Sequence, residues 1–236
     1  MLFKDNMFSI RGASSRIIIL KYMIKAVIFD MDGTMVNTEN LWRDINIRLA
    51  EKYNAIMDDT VRVRMMGRKD YDSLSIFKEY NNLQVSVEEL IATRRKMLLE
   101  DLSMVKVNDG LYQLLDLLDS LAIKKAVATS SFTEFTKKVL DMFNLSERFS
   151  IVVTGDDITI SKPDPSIFLE AARRLKIVPT DCVVIEDAQN GVEAGYNAKM
   201  KIIAIPHMHS KHHDFSKATK VLDSMLDIDE NMLRSL

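Results

Sequence analysis

Residues 25–34 read KAVIFDMDGT, and this stretch decides the expected fold. Its apolar run, 26–29, is short and ends abruptly in two aspartates, which indicates a fully buried strand of a parallel sheet. Open α/β sheets bind their ligands beyond the carboxyl ends of such strands. Because residues i and i+2 of an extended segment point the same way, Asp30 and Asp32 can face one cavity, where one attacks and the other moves a proton. An ordinary Asp-x-Asp-Gly turn is the alternative interpretation.

Three later segments carry residues that suit the same site. One apolar run ends at Thr129 and Ser130, another ends at Glu186 and Asp187, and Lys162 opens the segment KPDPSIF between them. Each segment alone has an ordinary explanation, such as a surface lysine before a turn or a helix N-cap after a strand. At strand ends, however, these side chains are expected to converge. A hard divalent cation would then make the crowded carboxylates tolerable.

Taken in this order, the four motifs resemble those of the haloacid dehalogenase-like hydrolases, a superfamily of mostly phosphohydrolases. The resemblance covers most of the chain, from residue 25 to residue 206. It implies three catalytic residues, namely Asp30 as the nucleophile, Asp32 as the acid and base, and Lys162 as the cation beside them. The residues that it implies for binding the substrate phosphate are Thr129, Ser130 and Lys162. The ligands that it implies for a Mg²⁺ cofactor are Asp30, Asp32, Glu186 and Asp187.

Hydrophobic periodicity divides the rest of the chain into two kinds of segment. After the first motif the pattern is purely helical, with helices expected at 39–53, 70–80 and 87–101. From residue 109 onward, helices alternate with apolar strands expected near 123–129, 151–153, 182–185 and 201–205. This alternation indicates a parallel sheet with right-handed crossovers. The predicted fold class is therefore α/β, a Rossmann-like parallel sheet core with an inserted all-helical domain.

The helical insertion resembles the small cap of the β-phosphoglucomutase-like branch of the superfamily. This resemblance places the core at residues 24–40 and 104–236 and the cap at residues 41–103. In that branch the cap covers the catalytic crevice, and its closure excludes water and selects the substrate. The candidates for selecting the substrate are Thr38, Trp42, Arg68, Lys69 and Asp70.

The implied activity is Mg²⁺-dependent hydrolysis of a small phosphomonoester, such as a sugar phosphate, through an aspartyl-phosphate intermediate. A phosphosugar mutase is the main alternative. In mutases a cap arginine binds the second phosphate, but the equivalent position here is Asp70, and the mutase histidine falls at Trp42. Because an acidic side chain repels phosphate, these positions favour hydrolysis. A catalytically idle binding protein is a third possibility, which the intact motifs disfavour.

Composition limits the remaining classes of function. The chain has 236 residues, a net charge of −2 and one cysteine, and its charges of both signs are dispersed. We therefore expect a small phosphorylated metabolite as partner and no nucleic acid. No apolar stretch is long enough for a membrane span. Cys182 is expected to be a packed thiol, which suits a reducing compartment, and we expect a cytoplasmic monomer.

Two clusters of basic residues and the N-terminal segment lie apart from the four motifs. The basic clusters 62–69 and 94–96 are expected to be solvated helix faces, with attraction of an anionic substrate as the alternative for the first. Residues 1–23 are expected to be an N-terminal extension or the product of a misplaced start.

All four histidines lie in 207–213. We expect a surface loop there rather than a second metal site, because no carboxylate or cysteine spacing completes one.

Overall fold

The computed structural model of the chain describes residues 24–208 and 210–236. The expected N-terminal extension, 1–23, lies outside the described residues, as does His209. The strands are β1 Ala26–Phe29, β2 Val36–Asn37, β3 Lys106–Val107, β4 Lys124–Ala128, β5 Ile151–Val153, β6 Cys182–Glu186, β7 Lys201–Ala204 and β8 Lys220–Val221. The helices are α1 Glu39–Lys52, α2 Asp59–Met65, α3 Asp70–Tyr80, α4 Val87–Glu100, α5 Leu111–Ser120, α6 Thr133–Met142, α7 Ser166–Leu175, α8 Gln189–Asn197 and α9 Glu230–Ser235.

Six strands form one parallel sheet in the order β5-β4-β1-β6-β7-β8. The predicted first strand lies near the middle, where Phe29 pairs in register with Val127 of β4 and Ile185 of β6. The carboxyl ends of these three strands therefore meet at one edge. The predicted α/β class is confirmed. The short strand β8, at the sheet's edge, was not predicted.

The sheet is buried on both faces because its strands alternate between two apolar clusters. Val27 and Phe29 of β1 pack in one cluster, together with residues of α5 and α6. Ala26 and Ile28 pack in the other, together with residues of α7 and α8. Burial of a Val, Ile or Phe side chain contributes roughly 1.5–3 kcal/mol. This two-sided burial explains why β1 is continuously apolar in sequence.

Four helices, α1 to α4, lie between the antiparallel pair β2 and β3. The insertion is all-helical, as predicted, and has an apolar cluster of its own that includes Leu49, Val61, Leu74, Phe77 and Leu90. Helices α1, α3 and α4 lie where periodicity placed them, within two residues at each end. The seven-residue helix α2 was not predicted. Among the described residues, no helix combines the length and apolar character that crossing a membrane requires.

Candidate active site

The first motif turns sharply at the carboxyl end of β1. Asp30 follows the strand directly, and its backbone N–H donates to the carbonyl of Ile185 at 3.0 Å. Gly33 has φ of +84°, and a Cβ at this position would lie 2.6 Å from Oδ2 of Asp187. Both the left-handed backbone and the close carboxylate therefore require glycine. The structure places Asp30 and Asp32 on the same cavity, as predicted.

Lys162 brings two of the acidic motifs together. Its amine donates to Oδ1 of Asp30 at 2.5 Å and to Oε1 of Glu186 at 2.7 Å, and all three side chains are buried. Oε2 of Glu186 accepts from the backbone N–H groups of Asp187 and Ala188, each at 2.8 Å. Glu186 therefore has hydrogen bonds at both oxygens, whereas Lys162 contacts only one oxygen of Asp30.

Negative charge exceeds positive charge in this buried group. Burial raises the pKa of Asp30 well above its ordinary value; Lys162 opposes this rise, while three neighbouring carboxyl groups add to it. Burial likewise raises the pKa of Asp187 to about 6. Burial would lower the pKa of Lys162, but the carboxylates of Asp30 and Glu186 outweigh this effect and raise it. One lysine does not balance the acids around it.

Asp32 is oriented by four hydrogen-bond donors. Its Oδ1 accepts from the hydroxyl of Thr38 at 2.7 Å and from the indole N–H of Trp42 at 2.9 Å. Its Oδ2 accepts from the hydroxyls of Thr129 at 3.1 Å and Ser131 at 2.7 Å. The sheet and the first inserted helix thus both hold this carboxylate. Sequence reasoning missed Ser131, although it directly follows the predicted Thr129 and Ser130.

The strand ends and the inserted helices face each other across a cavity of about 130 Å³. We call its two sides the core wall and the helical wall. The core wall comprises Asp30, Asp32, Thr129, Ser130, Ser131, Lys162, Glu186 and Asp187. The helical wall includes Trp42, Arg43, Asn46, Arg62, Met65, Arg68, Asp70, Ser73 and Arg94.

Asp70 lies on the helical wall between two arginines. Arg94 donates to its Oδ1 and Arg95 to its Oδ2, both at 2.5 Å. Arg94 also donates to the hydroxyl of Ser73 at 2.9 Å, and Arg95 contacts Asp156 of the core at 2.8 Å. These two acids and two arginines match in charge. Three further arginines line the helical wall, so arginines outnumber acids there, whereas acids predominate on the core wall.

The expectation that the basic segment 94–96 is a solvated helix face was wrong for Arg94, which is 3% exposed. The signal was available in the periodicity. Leu90, Arg94 and Leu98 are spaced four residues apart, so they share the buried face of α4. Asn46, likewise missed, follows Trp42 by four residues on α1 and is also buried.

The five candidates for substrate selection differ in position. Trp42, Arg68 and Asp70 line the cavity. Thr38 is buried and its hydroxyl is engaged with Asp32. Lys69 does not line the cavity, because its amine donates to the backbone carbonyls of 158 and 159 on the core.

His207 lies beside the acidic motifs, which corrects the expectation of a plain surface loop over 207–213. Its Nε2 is 2.9 Å from Oδ2 of Asp187 and 3.6 Å from Oε1 of Glu39. Burial would lower the pKa of His207, but the hydrogen bond to Asp187 and the negative charges of the neighbouring carboxylates together outweigh this effect and raise it. His212 is exposed. The sequence carries no signal for this contact, because the path of the loop after β7 determines it.

Comparison with known proteins agrees with this architecture. A family model described as haloacid dehalogenase-like hydrolase matches residues 27–205. A phosphorylated carbohydrates phosphatase from Thermotoga maritima is 34% identical over 183 residues, which are 76% of this chain and 84% of that protein. A bifunctional riboflavin kinase/FMN phosphatase from Arabidopsis thaliana is 32% identical over 89% of this chain. This chain spans only 55% of the length of the Arabidopsis protein.

A solved structure shares the fold over most of the chain. β-Phosphoglucomutase from Clostridium difficile aligns with a TM-score of 0.79 at 24% identity, over 90% of this chain and 96% of that chain. The family predicted from the four motifs is confirmed. Several relatives are phosphatases, and their sequences match this chain along most of its length. The chain therefore belongs to the haloacid dehalogenase-like hydrolases and is a phosphoric monoester hydrolase of that family.

Proposed function

We propose that the chain hydrolyses small phosphomonoesters with Mg²⁺, through an aspartyl-phosphate formed on Asp30. The observation that carries this proposal is the buried group of Asp30, Lys162, Glu186 and Asp187 on the wall of a cavity. A phosphomonoester is dianionic, so a carboxylate that attacks it works against charge repulsion. Lys162 supplies one positive charge at Asp30, and the excess of buried acids calls for a further cation.

The donor set of the core wall suits a magnesium ion. Mg²⁺ prefers oxygen ligands and is commonly bound by one or two carboxylates together with substrate phosphate. We assign Asp30 and Asp187 as its carboxylate ligands. Glu186 accepts three hydrogen bonds and Asp32 four, whereas Asp187 has two partners, so we place Glu186 and Asp32 around the ion rather than first on it. When bound, Mg²⁺ supplies charge neutralisation at the phosphoryl oxygens.

The reaction that we propose has two displacement steps. A carboxylate oxygen of Asp30 attacks phosphorus, and the bond from phosphorus to the leaving oxygen breaks as Asp32 gives that oxygen a proton. Asp32 then takes a proton from water, which attacks the phosphoaspartate. This second attack breaks the bond to Asp30, releases inorganic phosphate and restores both aspartates. Lys162 holds Asp30 in place, and the Thr129 and Ser130 segment donates to the phosphoryl oxygens.

The helical wall favours hydrolysis over transfer between two positions of a sugar. Asp70 occupies the position where the mutase resemblance requires an arginine, and its carboxylate is engaged with Arg94 and Arg95. The Thermotoga relative is described as acting on phosphorylated carbohydrates. We therefore propose a phosphorylated carbohydrate or a similar small molecule as the substrate.

We further propose that residues 41–103 act as a cap that opens and closes over the core wall. Polar contacts connect the two sides. The backbone N–H of Lys69 donates to Ser161 at 3.1 Å, and Ser130 donates to the carbonyl of Gly67 at the same distance. Such contacts break at little cost in water, so the cap can open for substrate and exclude bulk water when closed.

Phosphate release from p-nitrophenyl phosphate tests the proposed activity. Turnover should require Mg²⁺, stop with EDTA and resume when Mg²⁺ is restored. Beryllofluoride with Mg²⁺, which mimics a phosphoaspartate, should raise the melting temperature of the wild type but not of Asp30→Asn. Activity that survives full chelation would overturn the role of the metal. A burst of covalent phosphoenzyme in Asp30→Asn would overturn the role of Asp30.

A further inference from the structure

Two buried polar atoms on the helical wall have no hydrogen-bond partner among the described residues. These atoms are Oδ1 of Asn46 and Nε of Arg94. The two side chains are more than nine-tenths buried, and both line the cavity. An unpaired buried polar atom is destabilising, and native structures contain few of them. One acceptor and one donor are thus available to a ligand.

One nitrogen of the Arg94 guanidinium, Nη2, donates to Asp70 at 2.5 Å and to Ser73 at 2.9 Å. The guanidinium carbon lies 5.3 Å from the centre of the Trp42 ring. Asp70 already offsets its charge. A second phosphate placed here would be repelled by Asp70 and would gain no uncompensated cation from Arg94. The free Nε–H therefore suits a neutral acceptor.

A hydroxyl group satisfies both atoms, because it can donate to a carbonyl oxygen and accept from an N–H. We propose that Asn46 and Arg94 recognise hydroxyl groups on the organic part of the substrate, which makes it the monophosphate of a polyol or sugar. This inference rests on the proposed function and narrows its substrate. Trp42 contacts both Asp32 and Arg94, so a single side chain separates Arg94 from the proposed proton donor.

Matched pairs of substrates test the inference on the wild-type enzyme. The pairs are glycerol 3-phosphate with n-propyl phosphate and sorbitol 6-phosphate with n-hexyl phosphate. Within a pair the carbon number is the same and only the hydroxyls differ. We expect kcat/KM to favour the hydroxylated member of at least one pair by about 100-fold or more, since a site built for a hydroxyl rejects the analogue that lacks it.

Two variants connect this preference to the named atoms. Asn46→Leu removes the acceptor, and Arg94→Lys keeps a cation for Asp70 but removes the Nε–H. Each should reduce the preference about tenfold or more. Asn40→Leu is the matched control, because Asn40 is an exposed asparagine of the same helix and does not line the cavity. It should retain the wild-type ratio.

A binding measurement separates this inference from the proposed function. The Asp30→Asn variant should not turn substrate over, so its affinity for both members of each pair can be measured with Mg²⁺ present. Tighter binding of the hydroxylated member by about tenfold would support the inference. If the wild type also hydrolysed no substrate, the proposed function would be wrong but the inference would stand. Equal affinity and equal kcat/KM within both pairs would overturn the inference. Turnover of p-nitrophenyl phosphate in the same experiments would still support the proposed function. A bisphosphate preferred over every monophosphate would also overturn it.

Discussion

The core wall and the helical wall enclose one cavity but are built in different ways. On the core wall, three buried acids surround one buried lysine, so negative charge is left over. On the helical wall arginines outnumber acids, but Asp70 is paired with Arg94 and Arg95. The excess of acids suits a wall that must attract a cation, whereas the paired charges around Asp70 suit the recognition of neutral groups.

This difference predicts that the two walls have separate roles. Changes on the core wall should act on the chemical step, whatever the substrate. Changes on the helical wall should act on substrate preference or on stability.

Asp30→Asn should have the largest effect. The amide has nearly the size of the carboxylate but is not nucleophilic, so we expect kcat/KM to fall about 10⁴-fold or more on every substrate. Steady-state phosphate release measures the loss. The control is Asp223→Asn, an exposed aspartate far along the chain, which should keep wild-type activity. Residual activity within tenfold of the wild type would remove Asp30 from the chemical step.

Asp32→Asn should slow turnover by about 10² to 10⁴-fold, because the variant can neither protonate the leaving oxygen nor activate water. The four donors that hold Asp32 predict that the fold is retained. The loss should be smaller for p-nitrophenyl phosphate than for an alkyl phosphate, since p-nitrophenolate leaves without a proton. An equal loss on both substrates would assign Asp32 to positioning alone.

Asp70→Asn should act on stability. Its side chain is 9% exposed and pairs with the side chain of Arg94, which is also buried, so the variant leaves a buried guanidinium without its counter-charge. Breaking such a pair costs about 3–5 kcal/mol. Urea unfolding of the metal-free protein measures the free energy of unfolding. Glu79→Gln removes an exposed carboxylate from the same helix and should change that free energy little. A stability loss no larger than that of the control would contradict the buried pair.

The sequence predicted the residues of the core wall, apart from Ser131, because strand geometry is simple. An apolar run that ends in polar residues delivers those residues to the carboxyl edge of the sheet. The strands β1, β4 and β6 are neighbours, so Asp30, Thr129 and Glu186 arrive together. The register between the parallel strands then determines the distances between these side chains. Among the described residues that form the core wall, Lys162 comes from a segment that does not directly follow a strand, and its motif rather than its periodicity indicated that it would reach this edge.

The helical wall could not be predicted to the same depth. The helices themselves followed from periodicity, but the face that each turns to the cavity depends on how four helices pack together. Arg94 shares the buried face of its helix with two leucines, and Asn46 follows Trp42 by four residues. Position alone does not distinguish a buried arginine from one that extends into water. His207 was missed for a related reason, since a loop conformation brings it to Asp187.

Trp42 belongs to both walls, and Trp42→Phe should have the smallest effect. The indole N–H donates to Asp32 at 2.9 Å, while the ring lies against Arg94. Phenylalanine keeps an aromatic ring but loses the donor, and three other donors still hold Asp32. Loss of one hydrogen bond to a charged group is worth about 1.5 kcal/mol, or roughly tenfold in kcat. The preference for hydroxylated substrates should persist, because Asn46 and Arg94 are unchanged. Tyr53→Phe is the matched control, since it removes an aromatic donor at the end of the same helix, outside the cavity. If Trp42→Phe changed preference and spared kcat, Trp42 would belong to the helical wall alone, and the orientation of Asp32 would rest on its other donors.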